Sequence, residues 1–387
     1  MFKETAIACL FDVGGLIAGF TIALQLGVFQ LAPWAIALYP AVLSVKGVMT
    51  GLLTGRLSTA LHLGTVSPKF FGNSKSFYRL IGGMVVLSLA TSTTISVISL
   101  IFGTLFWGVT IASFPAILAV MVSTLSLGLL TTLISVKITF FSFKKSLDPD
   151  TILYPATSTI ADIVITLLYT IVLNLYFLGT LGEWAVIAFG LVNVILVLTI
   201  ILKLGRDSEF QKNLKEFLPT MFLVAFMANI TGTILKGISI LADGRRAIYT
   251  VYPAIIDMIG DVGLVVGSAA TTKLALGVLT PSFSSIKNHA KNIFSAWTAS
   301  LVLFGVLGLL SLAINGIFSL QGISSLLLIL FISNIIAFTA ITLVSYAISI
   351  LTFKRGLDPD NFVIPVESCL ADAITTIALF IALLLIL

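Results

Sequence analysis

Charged residues are scarce in this chain. Only 10% of its 387 residues are Asp, Glu, Lys or Arg, 58% are hydrophobic, and the mean hydropathy is +1.17. A soluble domain carries about 25% charged residues, so this sequence cannot cover itself with a water-compatible surface. The composition excludes most soluble enzymes and nucleic-acid-binding proteins and predicts an integral membrane protein. At about 20 apolar residues per spanning helix, the length allows roughly ten or eleven spans.

Cysteine and histidine are also nearly missing. Cys9 and Cys369 are the only cysteines and both lie in apolar runs, which indicates neither a disulfide framework nor a CxxC metal site. His62 stands near a predicted helix end, where we expect a hydrogen-bonded polar residue. His289 stands in a basic segment, where we expect a solvated side chain.

Long apolar runs make up most of the sequence. Polar, glycine or proline clusters separate about eleven of them, near residues 5–29, 34–64, 79–105, 111–140, 152–178, 184–203, 214–236, 247–278, 293–315, 322–351 and 362–387. We therefore predict an all-α polytopic membrane protein with about eleven transmembrane helices. With this count, 14 Lys and Arg residues fall on the side of the N-terminus and three on the other side. The positive-inside rule then predicts a cytoplasmic N-terminus and an outer C-terminus in a cell membrane.

The sequence contains an internal repeat. The Tyr39-Pro40-Ala41 triplet recurs 213 residues later, and the Leu-Asp-Pro-Asp segment at 147–150 recurs at 357–360. The second match continues through Asp162 and Asp372. We predict two parallel five-helix repeats, 1–180 and 209–387, joined by a linker helix within 181–208 and related by a pseudo-twofold axis along the membrane normal. Such a pseudo-dimer within one chain favours a pathway between the repeats.

Four aspartates lie inside the apolar runs. They are Asp162, Asp257, Asp261 and Asp372. An aspartate at the centre of a membrane helix costs about 2.5–3.5 kcal/mol, so we expect these acids to face water, a cation or a partner. Asp257 and Asp261 are four residues apart and share a helix face, and Glu367 precedes Asp372 by five residues. Oxygen ligands without a His or Cys cluster favour Mg²⁺ or a relative such as Mn²⁺ over Zn²⁺ or Cu.

A purely structural explanation competes with ion binding at each acid. A buried aspartate is often paired with a lysine or arginine, and Lys46, Arg56 and Lys273 lie in apolar runs where they could serve. Asp12 stands alone in the first run, so we favour a structural role for it. The matching positions of Asp162 and Asp372 in the two repeats favour a functional role for that pair.

Two motifs resemble a known family. Val45-Lys46-Gly47, followed by Arg56-Leu57-Ser58-Thr59-Ala60, is similar to the L-K-G-N-L-E-M-T-L-A-S-R-L-S-T-A stretch of the MgtE/solute carrier 41 divalent-cation transporters. The two Leu-Asp-Pro-Asp segments, each followed by Pro and then Asp, resemble the entrance to that family's fifth helix.

The resemblance implies a site as well as a function. It implies a Mg²⁺ path between the repeats, with Asp162 and Asp372 as central ligands of a largely hydrated ion and the carbonyls of Ser158 and Ser368 assisting. The family's Asn and Glu in the first motif are replaced here by Val48 and Thr50, while the second repeat has Asp261. The two half-sites are therefore expected to differ chemically.

Two other function classes remain open at this point. One is a proton- or Na⁺-coupled carrier, including Na⁺/Mg²⁺ exchange, because close carboxylates can titrate. The other is an intramembrane metal-dependent enzyme using Asp257 and Asp261, although a second acidic motif of that type is missing from the sequence. We expect no enzymatic activity, and we expect a divalent cation and the lipid bilayer as partners, with no nucleic acid and no obligatory protein partner.

Overall fold

The structure is a computed structural model that describes the backbone of residues 2–145, 154–355 and 359–386. Side chains are described for all of these except residues 2–4, 7–8, 154–156 and 359–368. The described residues form helices and no strands, which confirms the predicted all-α class. The helices are α1 (Phe2–Phe11), α2 (Gly15–Leu24), α3 (Leu26–Gln30), α4 (Pro33–Ala37), α5 (Tyr39–His62), α6 (Lys75–Phe102), α7 (Phe114–Lys145), α8 (Tyr154–Phe177), α9 (Thr180–Leu204), α10 (Ser208–Ala242), α11 (Arg246–Ala275), α12 (Ile286–Ile314), α13 (Leu320–Arg355) and α14 (Pro359–Ile386).

Most of these helices match the predicted spans. In the described part of the chain, ten helical segments are long and apolar enough to cross a membrane, and a shorter apolar helix covers Cys9–Leu24. The shorter one falls in the first predicted span, which is broken into α1 and α2 by a 3-10 turn at Asp12–Gly14. Asp and Gly are poor formers of helix interiors, and Gly15 follows directly, so the interruption has a local cause.

The helices form two compact units. The middle unit contains residues Gln25–Lys236, and the terminal unit contains Met1–Leu24 together with Gly237–Leu387. In the middle unit α7 packs against α5, α6, α8 and α9. In the terminal unit α11 packs against α2, α12, α13 and α14. These units are not the two sequence repeats, because α1 and α2 belong with the second repeat and most of α10 belongs with the first.

Two glycines show how this exchange is built. A methyl group on Gly19 of α2 would collide with the carbonyl oxygen of Thr250 on α11, and one on Gly232 of α10 would collide with that of Ala37 on α4. Both members of the second contact lie 213 residues after a member of the first, since Gly232 follows Gly19 and Thr250 follows Ala37 by that number. The first helix of each repeat therefore crosses the second helix of the other repeat at equivalent positions. The repeat boundaries at 180 and 209 stay a prediction.

Candidate cation-binding sites

The helix pair α5 and α8 carries the first candidate site, in the middle unit. Its register is held by buried tyrosines: the hydroxyls of Tyr39 and Thr166 lie 3.0 Å apart, and Tyr169 donates a hydrogen bond of 2.5 Å to the carbonyl of Ala35. Buried tyrosines need such partners for their hydroxyl groups, so these contacts set how far one helix can slide along the other.

Lys46 and Asp162 meet between these two helices. The Lys46 ammonium lies 2.6 Å from Asp162 Oδ1 and donates a second hydrogen bond, of 3.1 Å, to the carbonyl oxygen of Ser158. Ser158 and Asp162 are four residues apart on α8, so both oxygens lie on one face. The two side chains of the ion pair are only 3% and 5% exposed. We call Lys46, Ser158 and Asp162 the first half-site.

The space beside this ion pair is small. A cavity of about 10 Å³ lies next to Lys46 and is lined mainly by α7 residues, among them Gly128, Thr131 and Thr132. One water molecule requires about 10–15 Å³ on this measure. The cavity therefore has room for about one water and not for a hydrated divalent ion.

The helix pair α11 and α14 carries the second candidate site, in the terminal unit. The hydroxyls of Tyr252 and Thr376 lie 2.9 Å apart, and these residues match Tyr39 and Thr166 of the first pair. A Cβ on Gly260 would lie in ordinary contact, at 3.7 Å, with the Cβ of Ala371. The two helix pairs therefore have the same register.

Three predicted ligands lie on this second pair: Asp257 and Asp261 on α11 and Asp372 on α14, which we call the second half-site. Asp261 is 8% exposed, and its Oδ2 atom has no hydrogen-bond partner among the described residues. Asp257 and Asp372 are half-buried. Glu367 and Ser368 were also predicted to contribute, but their side chains lie outside the described residues.

The first helix of the chain adds another acid to the terminal unit. Asp12 is 2% exposed in the 3-10 turn between α1 and α2, and Cys9, three residues earlier, donates a 3.9 Å hydrogen bond to the carbonyl of Met258 on α11. Asp12 and Asp261 both act electrostatically on the Cys9 thiol. Sequence reasoning missed this neighbourhood, because it assigned Asp12 to a helix of the other repeat.

The described acids do not form a closed metal cage. Among the residues that the structure describes, no three His, Cys, Asp or Glu side chains lie together in a way that could hold a metal ion. Mg²⁺ keeps several of its waters and is usually held by one or two carboxylates rather than by an all-protein cage. Dispersed carboxyl groups therefore suit a largely hydrated ion.

Ion pairs tie the beginning of α10 to α5 and α6 in the middle unit. Arg56 contacts Glu216 and donates a 2.9 Å hydrogen bond to Asn213, and Arg79 contacts both Asp207 and Glu209. Burial acts to raise the pKa of the Asp207 carboxyl, but backbone N–H donors and the Arg79 charge together hold that pKa below its usual value of 3.8. These contacts make Arg56 a partner of α10 rather than of an intramembrane aspartate.

The histidines divide between prediction and correction. His62 lies at the end of α5 and contacts the carbonyl of Ser58 at 2.8 Å, as a hydrogen-bonded polar residue would. The expectation of a solvated His289 is wrong: the residue is 0% exposed in α12, 3.1 Å from the Lys273 ammonium and stacked on Tyr346. The basic segment around it is helical, so its inner face is buried while its lysines point elsewhere.

Comparison with known proteins covers the same two regions. No curated protein and no solved structure matches this chain. The family model of MgtE, described as a divalent cation transporter, matches residues 39–172 and 252–382, about two thirds of the chain. Each match begins at the tyrosine that sets the helix register and includes one of the two central aspartates. The chain therefore belongs to the MgtE family of divalent cation transporters, as a two-repeat member with membrane-length helices.

Proposed function

We propose that this protein carries Mg²⁺ across the membrane and that its intramembrane aspartates line the route. The family supports divalent cation transport, and the acids supply the chemistry that a hard cation needs. The observation that carries the proposal is the matched placement of Asp162 and Asp372 on two helix pairs of equal register. The route predicted from the sequence, between the two repeats, and the predicted cytoplasmic N-terminus are parts of this proposal.

The choice of Mg²⁺ rests on ligand type. The candidate sites offer carboxylate and carbonyl oxygens, which suit Mg²⁺ and its relatives, whereas Zn²⁺ and Cu favour His and Cys. The dispersed arrangement also suits an ion that gives up its waters reluctantly. Mn²⁺, which takes similar oxygen ligands, is the expected second substrate.

The test is ion flux into proteoliposomes that contain the purified protein and a Mg²⁺-sensitive dye. We expect wild-type uptake, and we expect Asp372→Asn to lose at least tenfold of it, because the neutral amide no longer attracts a cation. Asp243→Asn is the matched control: the same chemical change in the exposed turn after α10, at a positive φ of 41° that Asn accepts. Asp243→Asn should transport like the wild type, and full uptake by Asp372→Asn would contradict the proposed role of that acid.

The same vesicles test coupling. Uptake driven by Mg²⁺ alone, without a Na⁺ or proton gradient, supports simple divalent cation transport. Uptake that requires either gradient would instead support a coupled carrier. Both results keep the intramembrane acids on the route, since a coupled ion would use the same type of ligand.

A further inference from the structure

We infer that Lys46 is a built-in cation: its ammonium group fills the first half-site, and the transported ion depends on the acids of the second half-site. This inference rests on the proposed function and concerns which of the two candidate sites the ion uses. It makes Lys46 a specificity-determining residue of the transporter, with Asp162 positioning it.

The first observation is what the ammonium contacts. It takes Asp162 Oδ1 at 2.6 Å and the Ser158 carbonyl at 3.1 Å, two oxygens that were predicted to hold the ion. An ammonium offers three N–H donors and a full positive charge, so it satisfies the same oxygens as a bound cation would. An ion arriving at this half-site would have to displace a cation that is covalently attached to the chain.

The second observation is how tightly this place is closed. Lys46 and Asp162 are almost completely buried, and the neighbouring cavity holds about one water. Breaking such a pair leaves a charge buried without its partner, which is strongly unfavourable. The pair is therefore a stable part of the structure rather than a contact that opens with each ion.

The third observation is the difference at the matching position of the second half-site. Tyr39 precedes Lys46 by seven residues, and Tyr252 precedes Ile259 by seven. Because the two Tyr–Thr contacts are equivalent, the residue that α11 presents where α5 presents Lys46 is Ile259, which is 0% exposed. The second half-site thus has an uncharged residue in the place of the ammonium.

The acids differ in the opposite sense. Asp257 and Asp261 of the second half-site correspond to Ser44 and Val48 in the first repeat. The first half-site therefore combines one acid with one lysine, and the second combines three acids with an isoleucine. A divalent cation is attracted by unneutralised carboxylates, so the charge distribution favours the second half-site.

The decisive experiment removes both charges of the first half-site together. The double variant Lys46→Met/Asp162→Asn keeps similar volumes and leaves no buried charge unpaired, so it is the variant most able to fold. We expect its Mg²⁺ uptake in proteoliposomes to stay within about twofold of the wild type, while Asp372→Asn loses at least tenfold. A double variant that elutes as a folded species and transports as poorly as Asp372→Asn would overturn the inference.

A reciprocal variant tests the second half-site directly. Ile259→Lys introduces an ammonium at the place that matches Lys46, and we expect at least a tenfold loss of uptake. Ile259→Met, of similar length without the charge, is the matched control and should retain uptake. Equal uptake by these two variants would contradict the assignment of the ion to the second half-site.

The outcomes separate the two proposals. A wild-type protein without divalent cation flux would overturn the proposed function itself. A wild type with flux that depends equally on both half-sites would leave the proposed function standing and overturn only the role assigned to Lys46.

Discussion

The two helix pairs that carry the central aspartates share a scaffold and differ in charge. The Tyr39–Thr166 and Tyr252–Thr376 contacts, at 3.0 and 2.9 Å, show that α5 and α8 pack in the same register as α11 and α14. On that common scaffold one pair buries a lysine against its aspartate, and the other presents isoleucine and additional acids. Packing geometry has thus been kept between the repeats while the electrostatics have diverged, so the two sites need not do the same work.

The largest expected effect comes from breaking the buried pair on one side only. Asp162→Asn leaves the Lys46 ammonium buried without its anion, and we expect it to lower the free energy of unfolding by about 3–5 kcal/mol. Thermal unfolding in detergent measures this. Lys46→Met/Asp162→Asn is the control and should recover most of the loss, because no charge remains buried. If the single variant were as stable as the wild type, the ion pair would not be structural.

A second effect tests the exchange of the first helices. Gly19→Ala and Gly232→Ala each force a methyl group onto a backbone carbonyl, and we expect each to cost about 1–3 kcal/mol by overpacking. Gly305→Ala in α12 is the control, because its methyl group would meet open space among the described residues. That change should be neutral or slightly stabilising, since Ala favours helix over Gly. Equal melting temperatures for all three variants would argue against the two close crossings.

The smallest effect tests whether the two registers are equivalent. Tyr39→Phe and Tyr252→Phe each remove one buried hydrogen bond, and we expect each to lower the free energy of unfolding by about 1 kcal/mol. The comparison matters more than the size: the two losses should agree within about 0.5 kcal/mol. A large difference between them would show that the helix pairs are held by different contacts.

Much of the architecture could be predicted from the sequence. The number and position of the apolar helices follow from composition and length, because a membrane leaves few alternatives to long apolar helices. The repeat was visible in the Tyr-Pro-Ala and Leu-Asp-Pro-Asp motifs, and the family match begins and ends within the same regions. The inequality of the half-sites was also foreseeable, because Val48 and Asp261 occupy matching positions.

Other features needed the structure for physical reasons. Lys46 and Asp162 are 116 residues apart, so the sequence showed Lys46 as an available partner without showing which acid it would contact. The exchange of first helices has no local signal, although Gly19 and Gly232 are separated by the same 213 residues as the tyrosines. His289 seemed solvated because lysines flank it, but a helix places neighbours in sequence on different faces.

The central claim is that the transported ion binds the acids of the second half-site while Lys46 holds the first. The most direct measurement is the anomalous density of Mn²⁺ in crystals of the wild-type protein, with Mn²⁺ standing in for Mg²⁺. We expect a peak next to Asp372 or the α11 aspartates and none at Asp162, with the Lys46 ammonium still on the Asp162 carboxylate. A peak bound by Asp162 and the Ser158 carbonyl, with Lys46 displaced, would contradict this account.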